Sequence, residues 1–153
     1  MKTLIVGLGN PILCDDGVGI QAASIIAARN CFPDVTVTET TRAGLDFIDL
    51  ITGFDRVILI DAIVTDRGKP GDIYRLKLED LQPTLHSAAP HDIDLSSAVM
   101  LGKKLGGAMP EEIVIYGIEV QDIYTFSETC TPEVSAAIPE CVDRVFAELV
   151  KSN

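Results

Sequence analysis

The sequence has no tryptophan, only two histidines (His86 and His91) and few basic residues. Its 12 lysines and arginines stand against 23 aspartates and glutamates, so the formal net charge is −11 at pH 7. Nucleic-acid backbones and anionic membrane surfaces attract proteins through clusters of positive charge, so this composition argues against both as partners. A membrane-spanning helix is not expected either, because no apolar run approaches the ~20 residues that one requires.

The four cysteines lack the spacing of a zinc-binding or redox motif. Cys14, Cys31, Cys130 and Cys141 form no CxxC pair and no Cys/His finger pattern. In a domain of 153 residues we expect them to be reduced thiols, which are typical of the cytoplasm. The sequence therefore predicts a cytoplasmic protein.

Strand and helix patterns alternate along most of the chain, and the length suits a single domain over residues 1–153. Apolar runs at 3–6, 57–60 and 112–120 predict strands that are buried on both faces. Apolar residues that alternate with polar ones predict a further strand at 35–37 and an edge strand in "IYRLKL" (73–78). Together they predict an α/β fold, a three-layer α/β/α arrangement around a mostly parallel, twisted sheet of five strands with one antiparallel edge strand.

Apolar residues at helical spacing predict four helices between these strands. The first follows residue 17, and the second begins near Leu45 and ends near Gly53. The third would present the stripe Ala98, Leu101, Gly102 and Leu105. The last opens at Thr131–Pro132, and Pro139 would kink or restart it.

Candidate functional side chains follow the predicted strands. The stretch "LIVGLGNPILCDDGVG" (4–19) runs from strand 1 into Asp15 and Asp16, strand 3 ends into Asp61, and His91 precedes the third helix. Ligands of open α/β sheets bind beyond the carboxyl ends of the strands, so these groups are expected to converge. Two carboxylates and an imidazole suit a divalent transition ion with open coordination positions.

Each of these residues also has an ordinary structural interpretation. Asp15 suits a helix N-cap, Asp61 a turn, and His91 a loop beside a capping Asp94. His86, in a proline-rich loop, is a weaker candidate. Local spacing indicates a metal site but does not identify a reaction.

Other chemistries find less support in the sequence. Cys14 would be a poor nucleophile, because the adjacent aspartates would raise the pKa of its thiol. No G-x-S-x-G segment supports a serine nucleophile. A dinucleotide-binding fingerprint fails at Ile12, where its third glycine would stand.

The opening "LIVGLGNP" is similar to that of peptidyl-tRNA hydrolases, but the continuation "ILCDDGVG" differs from theirs. The whole chain more closely resembles the hydrogenase maturation proteases. The resemblance rests on "GLGNPILCDDGVG", "GLDFIDL", "VILIDA", "HDIDL" and "IVIYGIEV". The segment "TTRAG" (40–44) has fewer glycines than many members of the family. The resemblance implies that this segment belongs to the substrate-recognition loop, so the loop of this chain departs from the family pattern.

The resemblance implies a cytoplasmic endopeptidase that removes a C-terminal extension from the precursor of a nickel–iron hydrogenase large subunit. It implies Asp16, Asp61 and His91 as metal ligands and catalytic residues, acting on nickel supplied by the precursor, for which other divalent transition ions can substitute. The nickel would polarise the scissile carbonyl, activate a water, or serve only for recognition, as the sign that nickel has already been inserted into the precursor. We expect a monomer. The alternatives are a peptidyl-tRNA hydrolase-like esterase and a non-enzymatic nickel-sensing chaperone for the precursor.

Overall fold

A computed structural model describes residues 1–41, 45–80, 86–87 and 95–152, and over these it has six strands and four helices. The strands are β1 (Thr3–Leu8), β2 (Val35–Thr40), β3 (Arg56–Val64), β4 (Ile73–Lys77), β5 (His86–Ser87) and β6 (Glu112–Glu119). The helices are α1 (Val18–Arg29), α2 (Leu45–Ile51), α3 (Leu95–Lys104) and α4 (Pro132–Lys151). Short 3-10 turns lie at Cys14–Gly17 and Leu78–Asp80.

The strands form one mostly parallel sheet in the order β2-β1-β3-β6-β4. Strands β2, β1, β3 and β6 run parallel, and β4 pairs with β6 in the antiparallel direction. The predicted α/β fold with an antiparallel edge strand is therefore confirmed. The two-residue strand β5 adds an antiparallel pair at the end of β3, at Ile63 and Val64.

Helices cover both faces of the sheet because the central strands are apolar on both sides. On one face α1 and α4 pack on Ile5, Ile58 and Ile60. On the other face Phe47 and Ile51 of α2 and Val99 of α3 pack on Leu4, Val6, Val57 and Leu59. These two apolar layers hold the strand ends, and the loops that follow them, in fixed positions.

A buried ionic network stabilises the edge of the sheet where the parallel strands begin. Arg56 is only 2% exposed, and its guanidinium lies 2.5 Å from Glu148 Oε1 and 2.7 Å from Glu112 Oε2. Arg75 donates two hydrogen bonds to Glu148, and the Tyr116 hydroxyl donates another. The hydrogen bonds from Arg75 lower the pKa of Glu148 to about 2. Burial, followed by the contact with Glu148, raises the pKa of Tyr116 to about 12.

Two helix predictions need correction. Helix α4 runs without interruption through Pro139, which is exposed, so the helix does not restart there, whereas the kink stays a prediction. The buried face of α3 is Ala98, Val99 and Gly102, whereas Leu101 and Leu105 are 39% and 75% exposed. This face is selected by close packing, since a Cβ at Gly102 would lie 2.5 Å from Met109 Sδ and 3.2 Å from Ile48 Cγ2.

The described helices do not meet the requirements of a membrane span. Within residues 1–41, 45–80, 86–87 and 95–152, none is both long enough and apolar enough to cross a bilayer. All four cysteines lie in these ranges, and each is a free thiol.

Candidate functional site

The strand order places a crevice at the carboxyl ends of β1 and β3. The chain passes from β1 to β2 on one side and then to β3 on the other side of β1. Open parallel sheets bind ligands at such a point, where the direction of winding reverses. Both Asp16, after β1, and Asp61, in β3, belong to this edge.

Two glycines allow the turn Cys14–Gly17 and the start of α1 to approach these strand ends. A Cβ at Gly19 would lie 2.2 Å from the carbonyl oxygen of Ile60 and 2.6 Å from that of Leu8. Gly9 has φ +146°, and a Cβ there would lie 2.0 Å from the carbonyl oxygen of Asp16. The first turn of α1 therefore touches both β1 and the residue preceding Asp61.

Asp16 is buried in this turn, with 2% of its surface exposed. Its Oδ2 accepts a hydrogen bond from the backbone N–H of Asn10 at 2.9 Å. Because Asn10 lies in the loop that leaves β1, the loop itself orients the carboxylate. A buried charge held by a backbone donor is a group whose position is set before any ligand arrives.

Asp61 lies inside β3 and not at its end, so the prediction that the strand stops at this residue is wrong. Pairing with β1 ends at Gly7 and Ile60, but pairing with β6 continues to Ile63 opposite Glu119. Asp61 is therefore the first residue of β3 that β1 no longer flanks. It is 9% exposed, and its Oδ1 accepts the N–H of Ala62 at 2.8 Å.

His91, the third predicted ligand, lies outside the described residues. Among the residues that are described, no group of three His, Cys, Asp or Glu side chains is arranged to hold a metal ion. The described part of the predicted site is therefore a pair of buried carboxylates, Asp16 and Asp61, at one edge of the sheet. The imidazole remains a prediction, and the weaker candidate His86 is described only through the pairing of β5 with Val64.

Asp15 does not cap the helix that follows it, as the sequence suggested. The residue preceding the turn is Leu13, the residue preceding α1 is Gly17, and neither makes a side-chain capping bond. Asp15 is fully buried and accepts hydrogen bonds from the N–H groups of Gln121, Asp122 and Thr131, at 3.0, 2.9 and 2.7 Å. The Thr131 hydroxyl also donates to it, at 2.9 to 3.0 Å. This carboxylate joins the turn to the loop after β6.

Cys14 is buried and unsuited to nucleophilic attack. Burial raises the pKa of its thiol, and the Asp15 and Asp122 carboxylates raise it further. The sequence-based expectation named the neighbouring acids as the cause, whereas burial is the larger one. The nucleophile is the thiolate, so this cysteine remains protonated and unreactive near neutral pH.

Two features of this edge were not recognised in the sequence. Glu119, at the end of β6, is 1% exposed and accepts hydrogen bonds from the N–H and hydroxyl of Thr65. Asp122 accepts from the N–H groups of Tyr124 and Thr125, both at 2.9 Å. The Thr125 contacts, its hydroxyl first, lower the pKa of Asp122. An acid at the end of a buried strand, the signal that selected Asp61, would also have selected Glu119.

Comparisons with known proteins agree with one another. The family model described as hydrogenase maturation protease matches residues 20–148. The hydrogenase 2 maturation protease of Escherichia coli (strain K12) is 27% identical, across 100% of this chain and 93% of that protein. The hydrogenase expression/formation protein HupD of Bradyrhizobium diazoefficiens is 30% identical, across 93% of this chain and 74% of that protein. The structure of the hydrogenase maturating endopeptidase HybD from E. coli aligns with a TM-score of 0.82 at 24% identity, covering 100% and 94% of the two chains.

Proposed function

Because the chain belongs to the hydrogenase maturation protease family, we propose that it is an endopeptidase that removes the C-terminal extension of a nickel-loaded hydrogenase large-subunit precursor. The supporting observation is the pair of buried carboxylates, Asp16 and Asp61, at the winding reversal of the sheet. The family match also favours this activity over the esterase suggested by the shared opening "GLGNP".

In this proposal nickel belongs to the precursor and is recognised as part of the substrate. Two carboxylates at one edge of the sheet would offer a divalent cation two negatively charged oxygen donors. Carboxylate oxygens together with an imidazole also form a donor set for such an ion that leaves coordination positions open. Asp16, Asp61 and His91 are therefore the proposed ligands, and other divalent transition ions would bind the same groups.

Backbone hydrogen bonds orient the two carboxylates that would hold the substrate metal. The Asn10 N–H fixes Asp16, and the Ala62 N–H fixes Asp61. Since Cys14 is a buried thiol with a raised pKa, we assign the attack on the peptide bond to water. The nickel of the precursor would polarise the scissile carbonyl or activate that water.

The remaining parts of the proposal concern the setting in which the protein acts. Free thiols persist in reducing compartments, so the four unpaired cysteines favour the cytoplasm. The net charge of −11 favours a protein partner over nucleic acid. We propose that the protease acts as a monomer, which sedimentation analysis of the purified protein would test.

The decisive experiment incubates the purified protein with large-subunit precursor prepared with and without nickel. The expected result is that wild type shortens only the nickel-loaded precursor. Cleavage of nickel-free precursor at the same rate would overturn nickel recognition, and failure to shorten either form would overturn the protease assignment. Calorimetry with Ni²⁺ on wild type and His91→Ala tests the third ligand, and equal binding by both would remove His91 from the site.

A further inference from the structure

Three large apolar side chains are exposed beside the candidate site. Tyr124 and Phe126, in the loop between β6 and α4, are 83% and 80% exposed, and Ile12, in the loop after β1, is 47% exposed. Both loops leave the carboxyl ends of parallel strands, the edge to which Asp16 and Asp61 belong. We call Ile12, Tyr124 and Phe126 the aromatic surface.

The loop that carries the two aromatic residues is held firmly in place. Asp15 binds the start of the loop through two backbone N–H groups and its end through Thr131. Asp122 accepts three further hydrogen bonds, from the N–H of Tyr124 and from the N–H and hydroxyl of Thr125. Ile123 and Cys130 pack against the core. The rings therefore point outward from an ordered backbone, which is the property of aromatic anchors at protein interfaces.

A series of hydrogen bonds connects the aromatic surface to Asp16. The Asp16 carboxylate accepts from the Asn10 N–H, and the Asn10 side-chain oxygen accepts from the Ile12 N–H at 3.2 Å. The Ile12 carbonyl then accepts from the N–H of Ser127 at 3.0 Å, next to Phe126. The aromatic surface and Asp16 are therefore held by the same pair of hydrogen-bonded loops.

The loop that carries Tyr124 and Phe126 contains acidic residues and no basic residue. The sequence has no lysine or arginine between Lys104 and Arg144, a range that includes the whole loop. Asp122 and Glu128 lie within the loop itself, and the lowered pKa of Asp122 keeps it ionised. A complementary partner would combine apolar side chains with surrounding basic residues.

We propose that the aromatic surface is the docking site for the large-subunit precursor, and that it binds an apolar patch of the precursor bordered by lysine or arginine. This inference rests on the proposed function, because it names the substrate of that function as the occupant. It adds that affinity for the precursor comes from Ile12, Tyr124 and Phe126, whereas bond cleavage depends on Asp16 and Asp61.

The test compares cleavage of nickel-loaded precursor by wild type, Tyr124→Ser, Phe126→Ser and the double variant. The matched control is Leu105→Ser with Val150→Ser, two side chains of similar exposure (75% and 64%) near the carboxyl-terminal ends of α3 and α4. Those helix ends lie at the opposite edge of the sheet. We expect the double loop variant to raise KM about 10- to 100-fold with kcat little changed, because truncation of an aromatic anchor has an effect of this size. The control should match wild type.

Direct binding provides the second measurement. In an Asp16→Asn background, which is expected to leave the precursor uncut, the Kd for the precursor should rise by a similar factor when the loop substitutions are added. A KM and Kd equal to those of the control would overturn the inference while wild-type cleavage upheld the proposed function. A loss of kcat at unchanged KM would also overturn it. Wild type that neither binds nor shortens the precursor would overturn the proposed function and the assigned occupant together.

Discussion

The carboxylate of Asp15 accepts a hydrogen bond from the backbone N–H of Thr131 at 2.7 Å and so joins the turn after β1 to the residue before α4. Three further donors converge on the same side chain from Gln121, Asp122 and the Thr131 hydroxyl. The negative charge also lies at the amino-terminal end of a 20-residue helix, where the helix dipole favours it. Adjacent Asp16 binds the loop after β1 instead, so the two neighbouring acids have separate tasks.

This separation predicts different consequences for two conservative substitutions. Asp15→Asn places an NH2 group among N–H donors, so it should lower the free energy of unfolding by about 1 to 3 kcal/mol. Asp16→Asn can keep an oxygen towards the Asn10 N–H but loses the charge that a metal ligand needs. Its melting temperature should stay near that of wild type while cleavage of nickel-loaded precursor falls at least 100-fold. Thermal unfolding and precursor cleavage on both variants provide the measurements.

Each variant serves as the control for the other, because the two substitutions are chemically identical and adjacent. Full cleavage by Asp16→Asn, or unchanged stability of Asp15→Asn, would contradict the assignment of tasks. Asp61→Asn should resemble Asp16→Asn, since its oxygen can still accept from Ala62.

Both described carboxylates of the candidate site could be identified from the sequence because they follow apolar runs, and parallel strands bring their carboxyl ends to one edge. The role of Asp15 could not be identified in this way. Its partners Gln121 and Thr131 are 106 and 116 residues away, and no local pattern encodes such a distance. The N-cap interpretation was a reasonable local prediction that a tertiary contact replaced.

The same limit explains the error at the end of β3. The apolar run Val57 to Ile60 is interrupted by Asp61 and resumes at Ala62 to Val64, and the pairing with β6 decides that both parts form one strand. For α3, helical spacing fits more than one face, and the packing of Met109 and Ile48 on Gly102 decides which is buried.

The close approach of α1 to the strand ends predicts that Gly19→Ala is disruptive. The new Cβ would lie 2.2 Å from the Ile60 carbonyl oxygen, so α1 and the turn carrying Asp16 must shift. We expect a loss of about 1 to 3 kcal/mol in unfolding free energy and a strong loss of cleavage. Gly106→Ala is the control for cleavage: a Cβ there has no neighbour within 4 Å, so the strain of φ +76° should cost about 1 to 2 kcal/mol of stability but leave cleavage unchanged. Wild-type stability and cleavage in Gly19→Ala would contradict the packing argument.

Cys14→Ser should retain cleavage of the precursor within a few-fold of wild type. Burial holds the thiol protonated, and water is the proposed attacking group. Iodoacetamide followed by mass analysis of the intact protein offers an independent measurement. Cys31 is exposed and should be alkylated first, without loss of activity, while buried Cys14 should remain unmodified. A folded Cys14→Ser variant without activity would restore Cys14 as a nucleophile.

The Glu148 carboxylate should make the protein less stable as the pH falls below about 4.5. Its pKa is lowered from 4.5 to about 2 in the folded state, so between these values the unfolded chain binds more protons. The stabilisation is complete above about pH 4.5 and is lost as the pH falls towards 2.

Glu148→Gln should lower the unfolding free energy at pH 7 by about 3 kcal/mol, because buried Arg56 loses a charged partner. Glu140→Gln, which breaks an exposed pair with Arg144 on the same helix, should change it by less than about 0.5 kcal/mol. Urea titrations from pH 7 to pH 3 should show the difference between wild type and Glu148→Gln shrinking with acid, and a difference independent of pH would contradict the role of the Glu148 carboxylate.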